Sequence, residues 1–189
     1  MAEYLSCSAT AKLVRVALKK AFPGIKFSVR SSVYSGGASI RVGWTDGPSS
    51  KAVKAVAGAY AGGGFDGMID MAYSVEAWLL PDGSASFASS PGTTGSRGVY
   101  EPFDNPAPAP GAKKVRFGAD YVFCEKEYSV EVYSAAVATV CADYGVEIPE
   151  IKVSEFGGTP FIGGYHPVPN AGEELSTLVY RELQKENHA

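Results

Sequence analysis

A chain of 189 residues is long enough for one domain to bury roughly two thirds of its unfolded surface and to fold without covalent staples. Hydrophobic residues make up 46% and charged residues 20%, an ordinary globular composition that excludes disordered, fibrous and membrane classes. The net charge of −3 is unevenly spread: residues 1–54 hold nine Lys or Arg against Glu3 and Asp46, or +7, leaving −10 on the rest, which marks either a surface for nucleic acid or an acidic partner, or two halves that pair their charges.

In chain order, Ser8 is the expected cap of a helix over residues 9–22, with Ala11, Val14, Leu18 and Ala21 at helical spacing and Pro23-Gly24 as its stop. Lys12, Arg15, Lys19 and Lys20 interrupt this apolar stretch, so it reads as neither a signal peptide nor a membrane span. Ile25, Phe27 and Val29 then alternate with Lys26, Ser28 and Arg30, and Ile40, Val42 and Trp44 alternate with Arg41 and Gly43. This predicts a hairpin with one apolar face. A two-residue turn at Ser35-Gly36 pairs Phe27 with Trp44, Val29 with Val42 and Arg30 with Arg41; a turn at Gly36-Gly37 shifts the pairs by two and keeps the faces. Either way both arginines share the outer face, where they call for an anion to bind or for an acidic neighbour from another element.

Thr45-Asp46-Gly47-Pro48 is a turn leading to a second helix over residues 49–60, which Ala61-Gly62-Gly63-Gly64 ends. The string GGGFDG matches G-x-G-x-x-G literally. It follows a helix and precedes strand-like sequence, however, whereas the dinucleotide fingerprint follows a strand and opens a helix. Residues 72–80 read as a strand and 84–88 as its return. Residues 89–112, rich in Gly, Pro and Ser, read as a mobile loop or internal linker.

Residues 113–124 predict a further strand. A strong helix follows, with Val130, Ser134, Val137 and Cys141 on one face and Gly145 as its stop. A short edge strand is expected within 148–156, a loop over 157–172 and a terminal helix from Glu173 to Lys185. Together these elements predict a single α+β domain over residues 1–189, with helices packed against an antiparallel or mixed sheet.

The catalytic inventory is thin. His166 is the only internal histidine and His188 lies in the tail, so histidine-based metal sites and triads lack parts. Cys7, Cys124 and Cys141 are odd in number without CxxC spacing, which argues against a disulfide framework or structural zinc and for a reducing, cytoplasmic setting. Asp46, Asp66, Asp70 and Glu76 are candidates for the carboxylate cluster of a metal-dependent enzyme, but Asp46 and Asp66 sit in glycine turns that Asp favours for local reasons. No P-loop is present, and no catalytic residue, metal or cofactor is expected from the sequence.

Four strings, KLVRVALKKAFPGIKFSVRSS, SIRVGWTDGP, GGGFDGMID and VRFGADYVFCEKEYS, together resemble the large polyvalent protein-associated domains of phages and conjugative elements, specifically the twenty-ninth of that series. The resemblance runs over most of the chain. It implies an accessory protein that a mobile element brings into a host, and no catalytic residue is carried over with it. The family pattern has an arginine shortly before the Tyr-Ser pair where this chain has Lys126, so a bidentate anion site is not expected there.

Two non-catalytic functions follow. In one, the protein is a counter-defence inhibitor that blocks a host defence or nucleic-acid-processing protein through a protein interface, using acidic residues such as Glu173 and Glu174 on the terminal helix. In the other, a basic face made by Lys26, Arg30 and Arg41 together with the first helix holds DNA or RNA. The second lacks exposed aromatic residues in the sequence reading, because Phe27 and Trp44 point to the core.

Overall fold

The computed structural model describes residues 2–155 and 157–185. Contacts divide them into two compact units: residues 1–43 with 51–125, and residues 44–50 with 126–189. The chain opens with β1 (Glu3–Ser6), α1 (Cys7–Ala21), β2 (Ser28–Tyr34), β3 (Gly37–Thr45) and α2 (Ser50–Ala57), whose end tightens into one 3₁₀ turn at Gly58–Tyr60. There follow β4 (Gly63–Asp66), β5 (Met71–Ser74), β6 (Glu76–Leu79), β7 (Ala85–Ser90), β8 (Phe103–Asp104), β9 (Lys113–Gly118) and β10 (Tyr121–Glu127). The second unit adds α3 (Val130–Tyr144), β11 (Ile151–Val153), β12 (Pro160–Ile162), β13 (Pro167–Val168), β14 (Glu173–Glu174) and α4 (Leu175–Lys185). Helices and mixed sheets make this an α+β protein.

The first helix starts earlier than its apolar spacing suggested. Ser6, not Ser8, is its cap, accepting the Ala9 N–H at 3.3 Å, and Lys19 and Lys20 in the last turn suit the negative end of the helix dipole. Val14 and Leu18 are buried on its inner face, each contributing about 1.5–3 kcal/mol relative to exposure.

The hairpin adopts the register of the Ser35-Gly36 turn: Val29 faces Val42 and Arg30 faces Arg41. Val29, Ile40, Val42 and Trp44 are buried, and both arginines are exposed on the other side. Phe27 departs from expectation. It lies ahead of β2, half-buried, with its ring 5.9 Å from that of Phe22.

Two continuous strands of the sequence reading are each broken in two. Residues 72–80 divide at Val75, whose N–H donates to Gly62 O at 2.9 Å, so β5 pairs with β4 while β6 joins the five-stranded sheet β1-β9-β6-β7-β8. Residues 113–124 divide at Ala119-Asp120: β9 stays in that sheet, and β10 becomes an outer strand of the three-stranded sheet β10-β3-β2. The break is held by Asp120, whose carboxylate accepts the Ala38 N–H at 2.8 Å and whose own N–H donates to Ala38 O at 2.8 Å. β1 was not foreseen. It runs parallel to β9, Glu3 beside Val115 through Ser6 beside Gly118, and its mostly exposed side chains leave no alternation to read. Residues 89–112 carry a 3₁₀ turn at Thr94–Ser96 and β8, which pairs with β7.

The second unit has its own core. Val137, Val140 and Cys141 of α3 are buried with Leu175, Leu178, Val179 and Leu183 of α4. Ser129 caps α3 by accepting the Val132 N–H at 3.2 Å, and Gly145, with φ at 65°, ends it as expected. Val130, placed on the apolar face by its spacing, is exposed, because the buried stripe is Ala136, Val137, Val140 and Cys141. The expected edge strand is β11, and Phe156 lies outside the described residues.

Candidate binding surfaces

Three of the four carboxylates weighed as a catalytic cluster, Asp66, Asp46 and Glu76, hold local structure, and the fourth, Asp70, stands at φ 52° in the left-handed region. Asp66 is fully buried and its two oxygens accept three hydrogen bonds: the Thr93 hydroxyl at 2.5 Å, the Val99 N–H at 2.9 Å and the Met68 N–H at 3.0 Å. The Thr93 bond, helped by the two amides and opposed by burial, holds its carboxyl below the ordinary range. Asp46, in the left-handed region at φ 54°, accepts the Ser129 N–H at 2.9 Å and so braces the start of α3. Glu76 accepts the Ser89 hydroxyl and pairs with Lys114. Among the described residues no three His, Cys, Asp or Glu stand close enough to hold a metal ion.

His166 places its Nε2 2.9 Å from Gly163 O, so that nitrogen carries the proton and donates; His188 lies outside the described residues. Burial pushes the thiols of Cys7, Cys124 and Cys141 above the usual cysteine range, which disfavours the nucleophilic thiolate.

The basic face is partly neutralised. Arg41 binds the Glu125 carboxylate at 2.6 Å and stacks 5.5 Å from the Phe123 ring, so the acidic neighbour expected beside the paired arginines is a residue of β10. Lys20 pairs with Asp82 at 2.9 Å and Arg15 donates to Val29 O at 2.5 Å. Lys26 lines a hollow of about 540 Å³ with Arg15 and Lys19, and Arg30 is exposed nearby in sequence on the outer hairpin face.

Glu173 and Glu174 precede the terminal helix rather than opening it. They form β14, opposite Val168 and Pro167. Glu173 pairs with Arg181 at 2.7 Å, and Glu174 accepts the Ser176 hydroxyl at 2.6 Å. The helix starts two residues late because these two extended residues are held in that ladder.

A larger feature escaped the sequence reading. A groove of about 670 Å³ is lined by rings from five separate segments of the first unit. Phe65 and Tyr73 come from the β4–β5 hairpin, Phe87 from β7, Tyr100 and Phe103 from the segment after it, and Tyr121 and Phe123 from β10. Tyr73 and Tyr100 approach to 5.0 Å between centroids, Tyr121 and Phe123 to 6.1 Å, and Phe87 and Phe103 to 6.4 Å. Phe65, Phe87, Tyr100 and Phe123 nonetheless stay 43–47% exposed, an aromatic surface that shares no residue with the hollow on the basic face, for which the sequence offered only Phe27 and Trp44. Gly64 makes the hairpin wall possible, since a Cβ there would collide with the Tyr73 ring. Lys54 is the charged residue of the lining.

The sequence matches the family described as large polyvalent protein associated domain 29 over residues 5–129. The chain belongs to this family. No curated protein and no solved structure matches it. Membership makes it an accessory protein of phages and mobile elements. The matched region ends on Ser129, the cap of α3, so the polyvalent protein associated domain takes in every strand of the aromatic groove and leaves α3 to α4 outside. The unit carrying the groove holds 13 Lys and Arg against 9 Asp and Glu, or +4, whereas the other holds 4 against 11, or −7. The uneven charge of the sequence is thus a difference between two compact units. No helix among the described residues is long and apolar enough to cross a membrane.

Proposed function

We propose that this polyvalent-protein-associated protein is non-catalytic and acts as a counter-defence inhibitor, occupying a host defence or nucleic-acid-processing protein through an interface centred on the aromatic groove. The observation that carries the reading is the group of four half-exposed rings around one concave surface, Phe65, Phe87, Tyr100 and Phe123. Exposed aromatic clusters of this kind supply the buried anchors of protein interfaces, and a stacked arginine such as Arg41 is the usual companion. The acidic unit, at −7, adds electrostatic complementarity toward a host protein with a basic nucleic-acid groove. The test is the plating efficiency of a phage that a host restricts, on cells producing the wild-type protein or the double variant Tyr100→Ala with Phe123→Ala. The reading expects the wild type to raise plating and the folded double variant to lose most of that gain; equal plating with both proteins contradicts it.

A second reading is favoured by the hollow that Arg15, Lys19 and Lys26 line on the basic unit: DNA or RNA bound along α1 and the outer hairpin face. It is separated from the first by its salt dependence, because phosphate contacts release counterions.

A further inference from the structure

The groove meets one of its strands along an edge. Tyr121, Val122 and Phe123 are consecutive in β10 and all three line it. Side chains alternate between the two faces of a strand, so three successive residues border one hollow only where that hollow runs along the strand's edge. β10 is the outer strand of the order β10-β3-β2, and no described strand lies on its far side. Within β10 the Glu127 carbonyl faces β3, accepting the Asp46 N–H at 2.9 Å, and with the alternation of a ladder Phe123 and Glu125 face β3 as well while Val122 and Cys124 turn their N–H groups outward.

Neighbouring elements leave room for a further strand. The Gly62 N–H donates to Ala119 O at 2.8 Å, which brings the start of β4 beside the chain just before β10; beyond that point β4 pairs with β5. A second hollow of about 500 Å³ shares Gly63, Gly64, Tyr73 and Tyr121 with the groove and adds Arg116, so the concave surface continues along the hairpin. Exposed edges are ordinarily blunted by lysine, proline or a bulge, yet the Tyr121-Val122-Phe123-Cys124 stretch contains no charge and no proline.

We propose that an extended peptide segment of a partner protein adds as a strand to the open edge of β10, seating large apolar side chains at alternate positions among Phe65, Tyr100 and Phe123 and setting an acidic side chain against Lys54 or Arg116. The main chain supplies affinity and the aromatic lining selects the side chains. The acidic residue follows from charge: Lys54 and Arg116 are the cations of the two hollows, and the one carboxylate beside them, Asp120, is engaged by the Ala38 N–H. The proposal rests on the protein-binding reading above.

The test uses the full chain against a displayed library of random linear peptides. The selected peptides are then measured for affinity, with and without backbone N-methylation at alternate residues, while hydrogen exchange is followed at Val122 and Cys124. Strand addition expects alternating large apolar residues with an acidic one, slowed exchange at both amides, and a loss of at least about fivefold on N-methylation at one parity only, as expected for a lost main-chain hydrogen bond. Lys54→Glu, at an exposed helical position, should turn the selection away from acidic peptides. Peptides that bind, weaken with Phe123→Ala and show neither amide protection nor parity would overturn strand addition while leaving the protein-binding reading intact. Binding of an oligothymidylate through the same rings, with no peptide selected, overturns both, and so does a surface that takes up neither probe.

Discussion

The Thr93 hydroxyl donates to Asp66 Oδ2 across 2.5 Å, joining residues 27 positions apart at a carboxylate that no solvent reaches. That bond, with the Val99 N–H on the same oxygen, fastens the segment carrying Tyr100 to the hairpin carrying Phe65 and Tyr73. Two walls of the aromatic groove are thereby fixed to each other by one buried acid.

The first expectation concerns pH. A carboxyl whose folded pKa is depressed stabilises the fold fully above its unfolded value, near 4, and loses that contribution as pH falls through the folded value. Asp66 is shifted in this direction, chiefly by Thr93. Thermal unfolding of the wild type and Asp66→Asn should therefore differ most near neutral pH, with the wild type higher, and converge below about pH 4. A gap that stays constant with pH contradicts the role given to the ionised carboxylate.

Gly98 completes the same clamp. A Cβ there would run into both the Thr93 hydroxyl and the Asp66 carboxylate. Gly98→Ala should thus lower the melting temperature and make the 91–100 segment more readily cut by protease, whereas Gly95→Ala, where a Cβ meets nothing within 4 Å, should do neither.

Trp44 is buried and its Nε1 donates to Pro48 O at 3.0 Å. Trp44→Ala should cost roughly 3 to 5 kcal/mol in denaturant unfolding, as other buried aromatic truncations do. Arg41→Ala removes a bridge to Glu125 whose partners are both more than half exposed, so its cost should stay below about 1 kcal/mol. A large loss at Arg41 and a small one at Trp44 would reverse the assignment of core and outer faces.

The basic face yields to a salt titration. If nucleic acid is the ligand, a labelled single strand should bind at low salt with an affinity that falls steeply as salt rises, and Arg30→Ala with Arg41→Ala should flatten that slope. If the protein interface is the function, no such binding is expected, and Glu173→Lys with Glu174→Lys should weaken inhibition more than His166→Ala. Because Glu173 pairs with Arg181, the reversed pair is read only after circular dichroism shows that α4 persists.

Much of the scaffold was legible in residue order. Alternation fixed the hairpin faces and its arginine pair, helical spacing located α1 and α3, and Gly145 marked its helix end. The groove was not, because its rings come from β4, β5, β7, the segment after β7 and β10, and each looks like an ordinary core residue in its own strand. Only the division of two continuous strands, at Val75 and at Ala119-Asp120, brings them around one hollow, and those breaks depend on bonds to Gly62 and Ala38 that are remote in sequence. The one local hint was GGGFDG, whose glycines let Tyr73 lie close against the hairpin.

Crosslinking in the host tests whether the aromatic groove is where the protein meets its target. The most direct measurement places a photo-reactive benzoylphenylalanine at position 65 or 123 in turn, and at the exposed control positions 16 and 161, in protein produced in the host. Light should join positions 65 and 123 to the same host protein, and the controls should not form this adduct. Adducts at the controls with none at the groove, or the same adducts at all four positions, would contradict it.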